Sequence, residues 1–154
     1  MQVAEKDENP ATIPLRSPRE RVVQALAYEG IAIAVFAPAY ALFFGRDATG
    51  SIALFVALSA AIFLWSPLHN FAFDLAELRL CGRCASARPQ RWRVVHALSL
   101  EISAVILTTP IIMAMGNHGF VDALSLDVVL TVAAVGYAYL FHLAYDRFRP
   151  VVSA

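Results

Sequence analysis

Few of the residues and motifs that mark soluble enzymes occur in this chain. Only two of its 154 residues are cysteine, and charged residues make up 16% of the total. Cys81 and Cys84 form a single C-x-x-C, so one chain cannot supply the four thiolates of a structural zinc site, although a redox pair stays open. No Gly-rich phosphate loop, H-E-x-x-H helix or G-x-S-x-G elbow is present. The sequence therefore predicts neither a metal nor a cofactor.

An excess of charge of one sign is also absent. Twelve Lys and Arg balance twelve Asp and Glu, which gives no reason to predict nucleic-acid binding. Apolar residues are abundant instead: 59% of the residues are hydrophobic, and the mean hydropathy is +0.62. Both values exceed those of a typical soluble domain. The composition indicates an integral membrane protein embedded in the lipid bilayer.

Four apolar stretches are long enough to cross a bilayer, because about 20 helical residues at about 1.5 Å each span a hydrocarbon core of roughly 30 Å. The predicted spans are residues 22–44, 51–73 with a kink or break at Pro67, 94–115 and 124–144. Residues 1–20 are polar and rich in proline, which predicts a disordered tail rather than a secretory leader. The predicted fold class is all-α, with four transmembrane helices.

The chain also contains an internal repeat. Arg21-Val-Val-Gln-Ala-Leu-Ala-Tyr-Glu29 aligns without a gap with Arg93-Val-Val-His-Ala-Leu-Ser-Leu-Glu101, 72 residues later. Each copy holds two spans, which predicts two tandem helical hairpins in parallel orientation, related by an axis along the membrane normal. The predicted units are a tail (1–20), a first transmembrane pair (21–78), a basic loop (79–92) and a second transmembrane pair (93–150).

Basic residues are concentrated on one side of the predicted spans. Of the twelve Lys and Arg, only Arg46 falls on the side opposite the termini. Because cytoplasmic loops carry the excess of Lys and Arg, both termini and the basic loop are predicted to be cytoplasmic. Asp74 and Asp146 end their spans close to arginines such as Arg79, and we interpret them as salt-bridged boundary residues.

Glu29 is the first candidate functional residue. It lies about 12 Å along the helix from Arg21, near the bilayer midplane, where carboxylates are rare and commonly mark proton or ion pathways. Removal from water disfavours the ionised form and a nearby cation favours it, so one site could hold either a proton or a cationic ligand. The alternative is a protonated Glu that joins two helices by a hydrogen bond. Glu101, its counterpart in the second copy, could pair with Glu29 or act at a second site.

Further candidates for proton or substrate binding are polar and aromatic residues of the spans. Asp127 is either an acid in the first turn of its helix, favoured by the helix dipole, or an outer station on the pathway. Asn70 and His142 correspond across the repeat, and hydrogen bonding between helices is their favoured role, with proton relay as the alternative for His142. The aromatic face of Trp65 could receive a cation, or the residue could serve in packing and interfacial anchoring. Tyr28 is the last candidate for proton or substrate binding.

These motifs resemble those of the proteobacterial antimicrobial compound efflux family, whose duplicated unit is also called the bacterial transmembrane pair domain. Four motifs carry the resemblance, in this order: Arg21 to Glu29, Trp65 to Asp74, Arg93 to Glu101 and Tyr139 to Asp146. The resemblance implies a transporter, not an enzyme, that exports cationic biocides such as chlorhexidine and related diamines or dyes across a bacterial inner membrane in exchange for protons. It implies Glu29 as the proton and substrate site. Ser66 and His142 stand where the family tends to have Asn, and Pro67 is unexpected.

Two other classes of function stay open on the residues alone. A membrane scaffold or assembly protein would use its buried acids only to hold helices together, and would tolerate Glu29→Gln. A membrane thiol oxidoreductase would require Cys81 and Cys84. Four helices enclose little volume, so for the transporter we also expect a homodimer that completes the cavity.

Overall fold

Four long helices make up nearly all of the structure, a computed structural model that describes residues 17–82 and 87–149. The helices are α1 (Pro18–Phe44), α2 (Ala48–Cys81), α3 (Gln90–Gly116) and α4 (Phe120–Phe148). All four are long and apolar enough to cross a membrane. No strand occurs within these two ranges. The predicted all-α class with four transmembrane helices is confirmed.

Local sequence signals set the ends of the helices in the first half. Ser17 begins α1 by accepting a hydrogen bond from the backbone N–H of Glu20 at 3.2 Å. Asp47 begins α2 in the same way, from the N–H of Gly50 at 2.7 Å. Such caps satisfy amides that have no partner inside the first turn. Gly45 ends α1 with a φ of 61°, a left-handed conformation that glycine adopts at least cost, so α1 and α2 are joined by a sharp turn.

All four helices extend beyond the predicted spans. α2 passes through Pro67 and ends at Cys81, eight residues past the predicted end at Phe73. Of the kink or break predicted at Pro67, the break is therefore wrong. A proline removes one backbone hydrogen bond, and membrane helices tolerate that loss. α4 begins at Phe120, which places Asp127 two turns inside the helix. Apolar composition located the segments that cross lipid, but the helices continue into polar sequence at their ends.

The helices pack side by side in chain order, and α1 and α4 close the ring with the smallest shared contact. The short turns make each hairpin antiparallel. A buried core lies in the half that carries these turns, here called the turn end, and consists of Ala37, Tyr40, Leu54, Phe55, Ile112 and Ala123. Large apolar side chains also point outward: Leu42, Phe63 and Val121 are 84%, 72% and 71% exposed. Helices that are apolar on all sides suit contact with lipid.

Polar contacts join the two turns at the turn end. Arg46 donates hydrogen bonds to the carbonyl oxygens of Gly116 and Asn117, and its positive charge complements the C-terminus of α3. The Tyr40 hydroxyl and His118 Nε2 are hydrogen-bonded at 2.8 Å. Gly116 packs so closely here that a Cβ would lie 2.6 Å from both the Tyr40 hydroxyl oxygen and the His118 ring. The turn end is thus the closed end of the bundle.

Ionic contacts join α2 to the start of α3 at the opposite end, here called the loop end. Arg88 forms ion pairs with Asp74 at 2.5 Å and with Glu77 at 2.6 Å. Hydrogen bonds to Glu77, which has the larger effect, and to Asp74 raise the pKa of Arg88. The guanidinium is therefore charged at any physiological pH. The salt bridge predicted for Asp74 is present, with Arg88 as partner in place of Arg79. Glu77, which is only 5% exposed, was missed by the sequence analysis.

A second set of contacts at the loop end joins α1 to α4. Arg149 forms an ion pair with Glu20 at 3.1 Å, and the Tyr145 hydroxyl donates to the same carboxylate at 2.8 Å. These bonds link the first turn of α1 to the end of α4. Cys81 is exposed at the end of α2, and Cys84 lies outside the described residues.

Candidate functional site

A cavity of about 370 Å³ lies between the four helices, and every helix contributes to its wall. Its volume falls at the lower end of the range for small-molecule sites. The part of the wall from α2 consists of Phe55, Leu58, Ser59 and Ile62. Acidic side chains come from the other three helices: Glu29 from α1, Glu101 from α3 and Asp127 from α4. The three acids singled out in the sequence therefore border one space.

Glu29 and Glu101 occupy equivalent positions in the wall. Each is the twelfth residue of its helix, about 17 Å from the helix start. Glu29 is half-buried and Glu101 is exposed. Within residues 17–82 and 87–149 neither carboxylate forms an ion pair or a hydrogen bond. The interhelical hydrogen bond considered as an alternative role for Glu29 is accordingly absent from the described part of the chain.

Asp127 has a different environment from the two glutamates. It is 6% exposed, and its Oδ2 lies 2.7 Å from the hydroxyl oxygen of Thr108 and 2.8 Å from that of Thr109. The interpretation of Asp127 as an acid in the first turn is wrong, because α4 begins seven residues earlier and the first-turn acid is Asp122. The early start of α4 was missed because Asp122 interrupts the apolar residues that begin at Phe120.

Aromatic rings form the wall next to Glu29, where α1 meets α4. The ring of Tyr28 lies 4.9 Å from that of Tyr137, 5.2 Å from that of Phe141 and 5.9 Å from that of His142, measured between centroids. The Tyr137 hydroxyl donates a hydrogen bond to the backbone carbonyl of Tyr28 at 2.6 Å. Tyr28 and Tyr137 both line the cavity. This bond holds α1 and α4 together beside the acid.

Three other residues singled out in the sequence lie outside the cavity wall. Trp65 Nε1 donates to the Ser103 hydroxyl at 2.9 Å and so joins α2 to α3. His142 makes the expected hydrogen bond between helices, at 3.1 Å from its Nδ1 to Gln24 Nε2. Asn70 is exposed at the surface of α2. These three residues connect helices or face outward and do not border the space between the acids.

Several hydroxyl groups in the wall were missed by the sequence analysis. Ser59 and Thr131 line the cavity and are 72 residues apart, so they are equivalent in the repeat. Thr108 also lines the cavity, and Thr109 follows it. The equivalent positions of Ser59 and Thr131 in the two copies are a signal that a closer comparison of the copies would have found. Together with the acids they give an apolar cavity a few polar groups for orienting a ligand.

Three relatives match more than four-fifths of this chain. Short-chain diamines transporters of Acinetobacter baumannii and Vibrio parahaemolyticus are 29% and 27% identical to it. The alignments cover 84% and 85% of this chain, and 87% and 91% of those proteins. A short-chain diamines transporter of Acinetobacter baylyi is 25% identical over 83% of this chain and 88% of its own length. No solved structure matches the chain.

The family comparison agrees with the internal repeat. The profile described as chlorhexidine efflux transporter matches the chain twice, over residues 16–79 and 88–151. Each match contains one helical hairpin, so the two tandem hairpins are two copies of one family unit. With four helices able to span a bilayer, the protein is a multi-pass membrane protein. The chain belongs to the chlorhexidine efflux transporter family.

Proposed function

We propose that this protein exports cationic compounds in exchange for protons, with Glu29 and Glu101 as the binding site that proton and substrate share. The observation that carries the proposal is that both carboxylates border the central cavity without an ion pair in the described part of the chain. An ionised carboxylate at membrane depth is costly unless a proton or a cation neutralises it. Because either partner excludes the other, the site can exchange them.

The wall of the cavity supports an organic cation as the substrate. Its lining is largely apolar, which suits methylene chains and rings, and the aromatic faces of Tyr28 and Tyr137 can stabilise a positive charge. The family is described by chlorhexidine efflux, and the relatives are named for short-chain diamines. We therefore propose cationic biocides such as chlorhexidine, short-chain diamines and related dyes as substrates.

Two equivalent acids suit a substrate with two positive charges. When a doubly charged diamine leaves and two protons enter, the exchange moves no net charge across the membrane. Its driving force is then the pH gradient alone, about 1.4 kcal/mol per proton and pH unit. Two protons give about a hundred-fold gradient of diamine for each pH unit. We propose this two-for-one exchange for diamines, with one proton carried on each of Glu29 and Glu101.

The membrane and the orientation are part of the proposal. The excess of arginine at the loop end supports cytoplasmic termini in a bacterial inner membrane, so the turn end faces outward. We also propose a homodimer, because four helices enclose little volume. Crosslinking of active protein in membranes tests this: a dimer band is expected, and fully active protein that is only monomeric would contradict it.

The exchange is tested with purified protein in liposomes under an imposed pH gradient. Export of a short diamine and entry of protons are expected for the native chain, and both should fall in Glu29→Gln, which preserves shape but leaves only Glu101 to carry a charge. Asp122→Asn is the matched control, since Asp122 is exposed in the first turn of α4 and lies outside the cavity wall. Normal transport by Glu29→Gln would contradict the role proposed for Glu29, and absence of diamine export by the native chain would support the scaffold interpretation, in which the acids only hold helices together.

The same assay separates transport from thiol chemistry. Replacement of both Cys81 and Cys84 by Ser should leave diamine export unchanged, because the proposed site lies in the central cavity and Cys81 is exposed at the end of α2. Loss of function in the double variant would favour the thiol oxidoreductase and would count against the proposed exchange.

A further inference from the structure

Three short contacts between oxygen atoms surround the buried acid of α4. The Thr108 hydroxyl oxygen lies 2.8 Å from the carbonyl oxygen of Ala104 and 2.7 Å from Asp127 Oδ2. The Thr109 hydroxyl oxygen lies 2.8 Å from the same Oδ2. Thr108, Thr109 and Asp127 are 5%, 3% and 6% exposed. All three contacts have the length of an O–H···O hydrogen bond, and each takes its own hydrogen unless one hydrogen is shared between two acceptors.

The number of available hydrogens decides the state of the carboxyl group. The two threonine hydroxyls supply two hydrogens, and a carbonyl oxygen supplies none. If Asp127 were ionised, the single hydrogen of Thr108 would have to serve both the Ala104 carbonyl and the carboxylate. A proton on Oδ2 supplies the third hydrogen. With that proton Oδ2 would donate to Thr108, and Thr108 would donate to the Ala104 carbonyl, while Thr109 would donate to Asp127.

We propose that Asp127 is a second proton-holding site and that Thr108 is the positioning residue that transmits its protonation state to α3. The inference rests on the proposed proton-coupled transport, but it concerns residues apart from the shared glutamate site. When this proton passes through the cavity to one of the two glutamates, as one of the two protons exchanged, two hydrogens remain for the three contacts. Thr108 then turns its hydrogen from the Ala104 carbonyl to the carboxylate, and the backbone of α3 loses a side-chain bond.

The position of Thr108 in α3 makes that change consequential. Pro110 follows two residues later and already removes the backbone bond to the carbonyl of Ile106. A threonine bonded to the carbonyl four residues earlier bends a helix, so gain or loss of this bond acts where α3 is least constrained. The proton on Asp127 thereby biases the bend of α3 between Ala104 and Pro110. Such a bend alters the cavity wall that Thr108 and Ala104 form.

The first repeat has no equivalent of this cluster. The offset of 72 residues places Phe36, Ala37 and Phe55 where the second repeat has Thr108, Thr109 and Asp127. The rings of Phe36 and Phe55 stack there, with centroids 6.2 Å apart. The two hairpins therefore differ: one carries an apolar contact at this depth and the other a proton-holding group. Only the second hairpin would respond to this proton.

Other titratable groups share the cavity with Asp127 and must be separated from it in any test. They are Tyr28 and Glu29 on α1, Glu101 on α3 and Tyr137 on α4, while the cavity lining from α2 has no titratable side chain. Thr108 lies seven residues beyond Glu101, about 10 Å further toward the turn end. Asp127 thus forms an outer tier, and the two glutamates form an inner one.

Infrared difference spectroscopy of the full chain in lipid, with no substrate present, tests the proposal. A protonated carboxyl band is expected at neutral pH in the native protein and should vanish in Asp127→Asn. In Thr108→Val, which keeps the side-chain shape without the hydroxyl, the band should move to higher frequency because the carboxyl hydrogen has lost its acceptor. Thr108→Ser restores the hydroxyl and should restore the native frequency.

The outcomes are distinguishable from those of the transport assay. A native spectrum with no band that depends on Asp127 or Thr108 would overturn the inference, even if Glu29→Gln abolishes export. If Asp127→Asn does not fold, the shift in Thr108→Val assigns the band by itself. In liposomes, Thr108→Val should lower the maximal export rate and change its pH profile with little change in KM, and Thr108→Ser should recover both. An unchanged pH profile in Thr108→Val would also overturn the inference.

Discussion

The proposed pairing of two acids with a dication makes a quantitative prediction about the membrane potential. Glu29 and Glu101 border one cavity at equivalent depths, and each can carry one proton inward while a doubly charged diamine moves outward. Two positive charges then move inward on the protons, and two move outward on the diamine. The concentration ratio that the native protein builds at equilibrium is therefore expected to depend on the pH gradient and not on the potential.

Removal of one acid changes that balance by a calculable amount. With a one-unit pH gradient, two protons support about a hundred-fold ratio of diamine outside to inside, because about 1.4 kcal/mol is tenfold. In Glu101→Gln one proton remains, which supports about tenfold. One net positive charge now also moves outward against the potential in each cycle. This costs about 2.3 kcal/mol per 100 mV, which lowers the concentration ratio of diamine about fifty-fold. At 100 mV, negative inside, the variant should show no concentrative export.

The assay uses liposomes in which a potassium gradient and an ionophore set the potential, while the internal and external buffers set the pH gradient. The final diamine ratio is measured at zero and at 100 mV. The native ratio is expected to be the same at both potentials. A native ratio that falls as the potential is made more negative inside would refute the two-for-one exchange, whatever the variant does.

Two further predictions concern the contacts that hold the bundle closed. Gly116→Ala should lower the thermal unfolding temperature in detergent, because the new Cβ would lie 2.6 Å from the Tyr40 hydroxyl oxygen and such overpacking costs about 1–3 kcal/mol. Gly136→Ala, whose Cβ would have nothing within 4 Å, is the matched control and should be neutral or slightly stabilising; equal stability of both variants would contradict the packing argument. Arg88→Gln should also lower the unfolding temperature, since it removes the cation that the buried carboxylate of Glu77 contacts at 2.6 Å, and an unchanged temperature would count against that role.

The sequence alone was sufficient to predict the architecture and the acids, for a simple physical reason. Lipid requires long apolar helices with all backbone groups bonded internally, so span number follows directly from composition. An acid within such a span is conspicuous because it is costly. Glu29 and Glu101 stood out on that ground, and the structure brings both, together with Asp127, to one cavity.

The residues that were missed or misplaced depend on packing between helices, which apolar composition does not encode. Trp65 was expected either to receive a cation on its aromatic face or to serve in packing, and its hydrogen bond to Ser103 on α3 was not foreseen. Thr108 and Thr109 look like ordinary span residues until α4 brings Asp127 against them. Arg88 could be matched to Glu77 only once the path of the chain between α2 and α3 was known. Contacts across the bundle depend on helix rotation, and sequence spacing does not give that rotation.

The central claim is that a proton and a cationic substrate compete for the same carboxylates, and proton release on binding measures this most directly. Purified protein in weakly buffered detergent solution with a pH indicator is titrated with a short diamine at a pH where the site is protonated. The account predicts that the native protein releases protons in proportion to bound diamine, and that Glu29→Gln binds less diamine and releases fewer protons, while Asp122→Asn behaves as the native chain does. Saturable diamine binding to the native protein without any proton release would contradict the account.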